Sequence, residues 1–390
     1  MRVGTTLYKV VNQPCASGGY EKRRVIWNNS TLRQDYGKNY LATVPKYDGF
    51  CTVPDHLNYR KEIDGFLNLY EPIEHTPQIG DFPNIRSLVL HIFGEQYNLG
   101  LDYLQLLFLQ PLQKLPILLL VSEERNTGKS TFLNFLKAVF GDNVTFNTNE
   151  DFRSQFNSDW AGKLLIVVDE VLLNRREDSE RLKNLSTTLS YKVEAKGKDR
   201  DEIAFFAKFV LCSNNEYLPV IIDAGETRYW VRKIDRLQSG DTDFLQKLKT
   251  EIPAFLYHLQ HRTMATKKES RMWFAPSLLH TEALRKIIRS NRNRLEIDMH
   301  ELILDIMESV GTDTFSFCYN DILLLLVHSQ VKVEKHQVRK VLQECWKLTP
   351  ASNGLTYTTY QFNYNRECRY EPIKRVGRFY TVTREQLDSL

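Results

Sequence analysis

Residues 117–141, ILLLVSEERNTGKSTFLNFLKAVFG, constrain this chain more than any other stretch. The run ILLLV is continuously apolar, as in a strand covered on both faces of a parallel sheet. STFLNFLKAVF carries its apolar residues at helical spacing and stops at Gly141. Between them lies a polar loop in which Gly128, Lys129 and Ser130 hold the places they occupy in a phosphate-binding loop. Residues Asn126, Thr127, Gly128, Lys129, Ser130 and Thr131 are therefore expected to bind a nucleoside triphosphate. Backbone N–H groups around Asn126 to Lys129 would wrap the β-phosphate at a helix N-terminus, where the helix dipole favours an anion. Lys129, expected to be exposed and structurally dispensable, would reach the β- and γ-phosphates, and the Ser130 hydroxyl would hold Mg²⁺. The usual first glycine of such a loop is Glu123 here. Its side chain is expected to turn to solvent and to weaken the site.

Two further strands end in polar residues. KLLIVVDE places Asp169 and Glu170 at the end of an apolar run, about 40 residues after Lys129, where carboxylates avoid the burial that mid-strand would impose. Asp169 suits a Mg²⁺ ion held through water, and Glu170 suits polarising an attacking water. FAKFVLCSNNEYLP ends another strand in Ser213-Asn214-Asn215, and the Asn214 amide could meet a γ-phosphate there. Strands alternating with helices indicate an α/β fold with its ligand site at the carboxyl ends of the strands.

A chain of 390 residues has room for two or three domains. Residues 1–84 read as an irregular, partly β accessory or connector segment. Residues 85–240 carry the strand–loop–helix core behind two helical stretches. Residues 241–294 read as a helical lid or linker. Residues 295–390 read as three helices followed by a β-ribbon, the winged-helix order. In that last unit, Val338, Val341, Leu342 and Cys345 are expected to face inward. Arg339 and Lys340 would face out as DNA contacts, with Arg366, Arg369, Lys374, Arg375 and Arg378 in the ribbon region.

Global charge decides little: 52 Lys and Arg against 48 Asp and Glu leave a formal net charge of +4. The six cysteines are scattered without a CxxC pair, which points away from structural zinc and disulfides and toward a reducing, cytoplasmic setting. No secretory leader is read at the amino end. The most apolar window, residues 99–121, is broken by Asp102, Pro111 and Lys114 and reads as a buried helix and strand, with no membrane span.

The three polar strand ends, in this order and spacing, resemble the superfamily 3 replicative helicases, AAA+-type motors of small DNA viruses, phages and plasmids. The nearest pattern is the phage and plasmid primase-helicase type, where a stretch like YLQLLFLQPLQKLPILLLV leads into the Walker A loop and SNNEYLP…ETRYWVRK continues from the sensor. The resemblance covers about residues 85–235. It implies an AAA+-like P-loop ATPase core with a parallel sheet, a helical collar before it, and ATP and Mg²⁺ as cofactors. Lys129 and Ser130 would belong to Walker A, Asp169 and Glu170 to Walker B, and Asn214 to the sensor. Arg228 in ETRYWVRKI would be the arginine inserted into a neighbouring subunit's site, with Arg232 a weaker candidate. The family's channel hairpin would fall on SYKVEAKGKDRDEI, giving Lys192, Lys196 and Lys198 as contacts to one DNA strand.

The implied activity is ATP-driven unwinding of single-stranded and forked DNA by a homo-oligomer, a hexameric ring. It would act in a phage- or plasmid-encoded replication system, with a primase or polymerase as a possible further partner. Two other readings stay open. One is an AAA+-like ATPase that loads or remodels DNA-bound proteins. The other is a replication initiator that uses nucleotide as a switch, against which the joint presence of Glu170 and Arg228 argues.

Overall fold

The computed structural model of the protein describes residues 1–388 apart from 15–19, 153–159, 161, 174, 194–200, 224, 238–240, 330, 332 and 364–368. The chain divides into two compact units, Met1–Ile287 and Ile288–Leu390.

A five-stranded sheet organises the first unit. Its strands are β1 (Ile117–Val121), β2 (Val144–Phe146), β3 (Leu165–Val168), β4 (Lys208–Ser213) and β5 (Tyr229–Lys233). The order across the sheet is β5, β1, β4, β3, β2, and every neighbouring pair is parallel. Every residue of β1, β3 and β4 is buried, which accounts for the near-continuous apolar runs in the sequence. Val168 of β3 stands beside Leu211 of β4, and Ser213 of β4 stands beside Val121 of β1. The three strands thus finish along one edge, with β4 between the other two.

Helices Pro83–Phe93, Tyr97–Leu109, Lys129–Phe140 and Phe244–His261 share one apolar core with the sheet. Tyr97–Leu109 is buried on all sides from Leu99 to Phe108, as expected of a helix that is apolar all round. Its one acid, Asp102, is fully buried and neutralised by Arg262 at 2.6 Å, with further hydrogen bonds from the Ala265 and Thr266 N–H groups. Among the described residues no helix is long and apolar enough to cross a membrane.

Ionisable groups in this core make folding stability depend on pH. His56 is wedged between the Phe108 carbonyl at 2.8 Å and the Tyr70 hydroxyl at 2.5 Å, and burial pushes its pKa down from 6.5 to about 4. Lys114 donates to the Phe205 carbonyl at 2.6 Å, and burial lowers it from 10.5 to about 8. Lys208, at the start of β4, donates to the Pro111 carbonyl and is also lowered by burial. In both the His56 and Lys114 windows the unfolded chain binds the extra proton, so stability rises with pH. We expect stability to fall as pH drops from about 6.5 to about 4, and to rise between about 8 and 10.5. Denaturant melts across this range test the expectation, and His56→Asn should flatten the acid limb.

Residues ahead of the core are partly β. Thr6–Pro14 and Tyr20–Ile26 pair as an antiparallel hairpin, followed by a short helix, Asn29–Tyr36, capped by the Asn28 side chain.

A helix of 29 residues, Glu282–Val310, leads into the second unit. The sequence suggested a boundary near 294, but no Gly or Pro interrupts residues 282–310, and the basic stretch and EIDMHELILDIMES are one helix. Thr314–Phe317, helices Tyr319–His328 and Lys335–Lys340, and a π-turn at Val341–Cys345 come next. Leu355–Phe362 and Tyr370–Gly377 form an antiparallel ribbon, and Tyr380–Thr383 returns to pair with Thr314–Phe317.

Cys345 does not face inward as the helical spacing predicts. The π-turn, closed by the Trp346 N–H on the Val341 carbonyl at 2.9 Å, adds a residue to the turn. Cys345 is exposed and Trp346 is buried in its stead. Two of the ribbon cations are engaged within the unit: Arg369 with Asp305 at 3.1 Å and Arg375 with buried Asp321 at 2.7 Å. Arg366 lies outside the described residues.

Candidate functional site

The loop between β1 and helix Lys129–Phe140 takes two left-handed residues, Asn126 (φ +57°) and Gly128 (φ +80°), the second at the helix N-cap. Asparagine and glycine tolerate this region best. At Gly128 a side chain would also press on Leu237, 3.3 Å from an added Cβ. The loop is held from outside. His91 Nε2 is 3.0 Å from the Thr127 carbonyl, and the Leu237 N–H donates to the Asn126 carbonyl at 3.0 Å.

Lys129 is not exposed, contrary to the sequence expectation: only 6% of its surface is accessible, and its Nζ donates to the Thr127 hydroxyl at 3.1 Å. Burial lowers its pKa, opposed by the Asp169, Glu216 and Glu170 carboxylates. The ammonium therefore sits in a partly desolvated, acid-flanked position. Thr131 follows Ser130 in the first turn of the helix.

Ser130 and Asp169 meet across β4: the Ser130 hydroxyl donates to the Asp169 carboxylate at 2.6 Å. Glu170 adopts φ +59°, a strained conformation for a residue of this type. Asn149 holds it, donating to the Glu170 carbonyl at 3.1 Å and accepting from the Leu172 N–H at 2.9 Å. From the end of β4, the Asn214 amide donates to the Glu170 carboxylate at 3.4 Å. Lys129, Ser130, Asp169, Glu170 and Asn214 thus converge at the carboxyl edge of the sheet.

Arg228 does not join them. Its carbonyl accepts from the Ile117 N–H at 2.8 Å, which places it beside the amino end of β1. There it is half-buried, 3.5 Å from Glu226, in a cavity of about 330 Å³ that Asp223 and Arg271 also line. Arg232, the weaker candidate, is buried and spent on Glu95 at 2.6 Å and the Gln96 amide oxygen at 3.1 Å. A guanidinium so engaged holds the end of helix Pro83–Phe93 to β5.

Sequence reasoning missed the residues that hold the loop. Besides His91, Leu237 and Asn149, these include Glu216, which is buried beneath the loop entrance. Its carboxylate accepts from Lys286 at 2.8 Å, Lys233 at 3.3 Å and the Glu123 N–H at 3.3 Å. Burial acts to raise its pKa, but these hydrogen bonds outweigh it and the net shift is downward. The Glu123 backbone is anchored by this contact while its side chain is exposed. The signal available was an acid two residues after Asn214, in NNEY.

Of the lysines assigned to a DNA hairpin, Lys192 is exposed on the strand Ser190–Val193, opposite Glu202 in an antiparallel pair with Asp201–Ala204. Lys196 and Lys198 lie outside the described residues. In the second unit, Arg339 and Lys340 are exposed; Arg339 donates to Gln343 at 3.2 Å and Lys340 is 3.7 Å from Glu344.

Residues 120–232 match a family model described as a family of unknown function (DUF5906). No curated protein matches the chain. Among solved structures the chain is similar to the apo structure of the NrS-1 C-terminal region (305–718), with a TM-score of 0.58 and 17% identity over 96% of each chain. An A-form apo structure of the same region gives 0.57 and 16%, over 93% of this chain and 92% of that one. At this identity the likeness concerns the fold, a mixed α/β architecture around a parallel sheet.

Proposed function

We propose that this chain is an ATP-dependent DNA helicase or translocase of the superfamily 3, AAA+ type, serving replication of a phage, plasmid or other mobile element. The observation that carries the reading is the convergence of a buried lysine, a hydroxyl–carboxylate pair 2.6 Å apart and an amide-tethered glutamate at one sheet edge. The fold shared with the NrS-1 C-terminal region is compatible with it.

Phosphoryl transfer asks a protein mainly to position groups and balance charge. The left-handed loop would present N–H groups of residues 126–129 to the phosphates, and Lys129 would meet their charge from its partly desolvated seat. The oxygen pair of Ser130 and Asp169 suits Mg²⁺, a hard cation that favours oxygen ligands; bound there, it would neutralise charge on the β- and γ-phosphates. Glu170 would orient and deprotonate the attacking water, and Asn214, already on its carboxylate, would fix its aim. A strained, clamped glutamate favours turnover over a passive nucleotide switch.

Arg228 stands away from its own chain's site and would act in a neighbour's, which calls for a head-to-tail ring, a hexamer in this reading. The helices ahead of β1 would form its collar. The second unit would be a winged helix that docks on DNA through Arg339 and Lys340. A primase or polymerase partner and a cytoplasmic setting in a bacterial host complete the proposal.

The test that separates motor from loader is Lys196→Ala/Lys198→Ala. Basal hydrolysis uses none of the hairpin lysines and should persist. Stimulation by single-stranded DNA and fork unwinding should be lost, and the salt slope of oligonucleotide binding should fall by about 0.7 per phosphate contact removed. Normal fork unwinding by this variant would eliminate the hairpin's role.

A further inference from the structure

The N-terminal segment borders a cavity that the ATPase reading does not use. Hairpin Thr6–Pro14/Tyr20–Ile26, helix Asn29–Tyr36 and the turn Tyr40–Thr43 border a cavity of about 530 Å³. Its lining is unusual for a gap in packing. Six aromatic residues contribute, Tyr8, Trp27, Tyr36, Tyr40, Tyr47 and Tyr59, together with the cations Lys9, Lys22, Arg24 and Lys61.

Three details point to a ligand. Tyr36 and Tyr40 are stacked on each other, centroids 4.6 Å apart and planes 20° apart, yet stand 48% and 41% exposed. Such a pair leaves flat apolar surface facing water. The Trp27 indole N–H is buried and, among the described residues, has no hydrogen-bond partner. The Lys9 ammonium lies 4.1 Å from the centre of the Trp27 ring. The two acids in the lining are already matched, Glu71 by Arg24 at 3.3 Å and Asp142 by Lys137 at 3.5 Å. Lys9, Lys22 and Lys61 therefore leave the cavity with an excess of positive charge.

Flat rings for bases and ammonium groups for phosphates are the combination by which proteins hold single strands without reading sequence. We propose that this cavity binds one or two nucleotides of single-stranded DNA, with bases stacked on Tyr36 and Tyr40 and phosphates met by Lys9, Lys22 and Lys61. The choice of a strand over a free nucleotide rests on the motor reading; the cavity itself does not depend on it.

The test is the affinity of the nucleotide-free protein for a fluorescein-labelled thymidine oligonucleotide, read by anisotropy. Tyr36→Ala/Tyr40→Ala should weaken binding by about ten- to a hundredfold, the loss expected for base–aromatic stacking. Tyr36→Phe/Tyr40→Phe keeps the rings and should bind like the wild type. Lys22→Ala/Lys61→Ala should lower the slope against log salt by about 0.7 per contact. Wild-type affinity in the alanine pair would overturn the proposal, and so would thymidine monophosphate competing as well as the strand. Should the alanine pair fail to fold, a 4-thiothymidine oligonucleotide photocrosslinked to the wild type decides: label in the peptide bearing Tyr36 and Tyr40 supports the site, and absence of label from that peptide overturns it. Basal ATP hydrolysis on the same preparations keeps the two readings apart, since wild-type protein that binds strands here without hydrolysing ATP would sink the motor and leave this site standing.

Discussion

Lys129→Met is expected to lower ATP hydrolysis by on the order of 10²–10³, the loss typical when one positioned charge-stabilising donor is removed. The site loses the cation that meets the phosphates and keeps Ser130, Asp169, Glu170 and Asn214. Methionine is the right replacement because Lys129 is buried. Alanine would add a cavity to the lost charge, whereas an apolar chain of similar length fills the seat. Asp169 and Glu170 are exposed and Glu216 keeps Lys233 and Lys286, so no acid is left buried and unpaired. The three carboxylates around Lys129 lose one favourable partner, so a melting temperature within a few degrees of wild type is expected by calorimetry. A variant that folds and hydrolyses ATP at the wild-type rate would remove the phosphate-binding loop from the account.

Glu170→Gln and Arg228→Ala should each abolish turnover alone, the latter by on the order of 10³ or more in rate. Their mixture should not be inert. In an equal random mixture of a head-to-tail ring, roughly a quarter of the interfaces pair an intact Glu170 with an intact Arg228 from the next subunit. Partial recovery of hydrolysis on mixing, read by phosphate release, is the expected result. The geometry motivates it: Arg228 lies beside the amino end of β1, and Lys129 follows its carboxyl end. The competing outcome is a structural Arg228 that steadies Glu226, next to the buried Lys183. In that case Arg228→Ala would melt several degrees lower and mixing would restore nothing.

What the sequence discloses and what it hides divide along one physical line. Strand-end chemistry is legible because burial drives polar residues off the strands. Asp169, Glu170 and Asn214 could stand only at the ends of LLIVV and FVLC, and parallel pairing then brings the ends together. Contacts made by distant segments are illegible. His91 meets Thr127 from 36 residues away, and Arg232 meets Glu95 from 137 away; neither pairing has a local signature. Helical spacing failed at Cys345 because a π-turn changes the period within one turn. The boundary read near 294 falls inside one continuous helix, because nothing there breaks it. The buried state of Lys129 and Lys208 runs against lysine's ordinary habit, and composition gives no warning of it.

Direct measurement of the central claim follows phosphate release and strand separation together on a forked duplex, with wild-type protein and Glu170→Gln in parallel. Wild-type protein is expected to hydrolyse ATP faster when single-stranded DNA is present and to open the fork as it does so. Glu170→Gln should bind ATP and do neither. Wild-type protein that releases no phosphate with or without DNA, or that hydrolyses ATP yet leaves every fork closed, would contradict it.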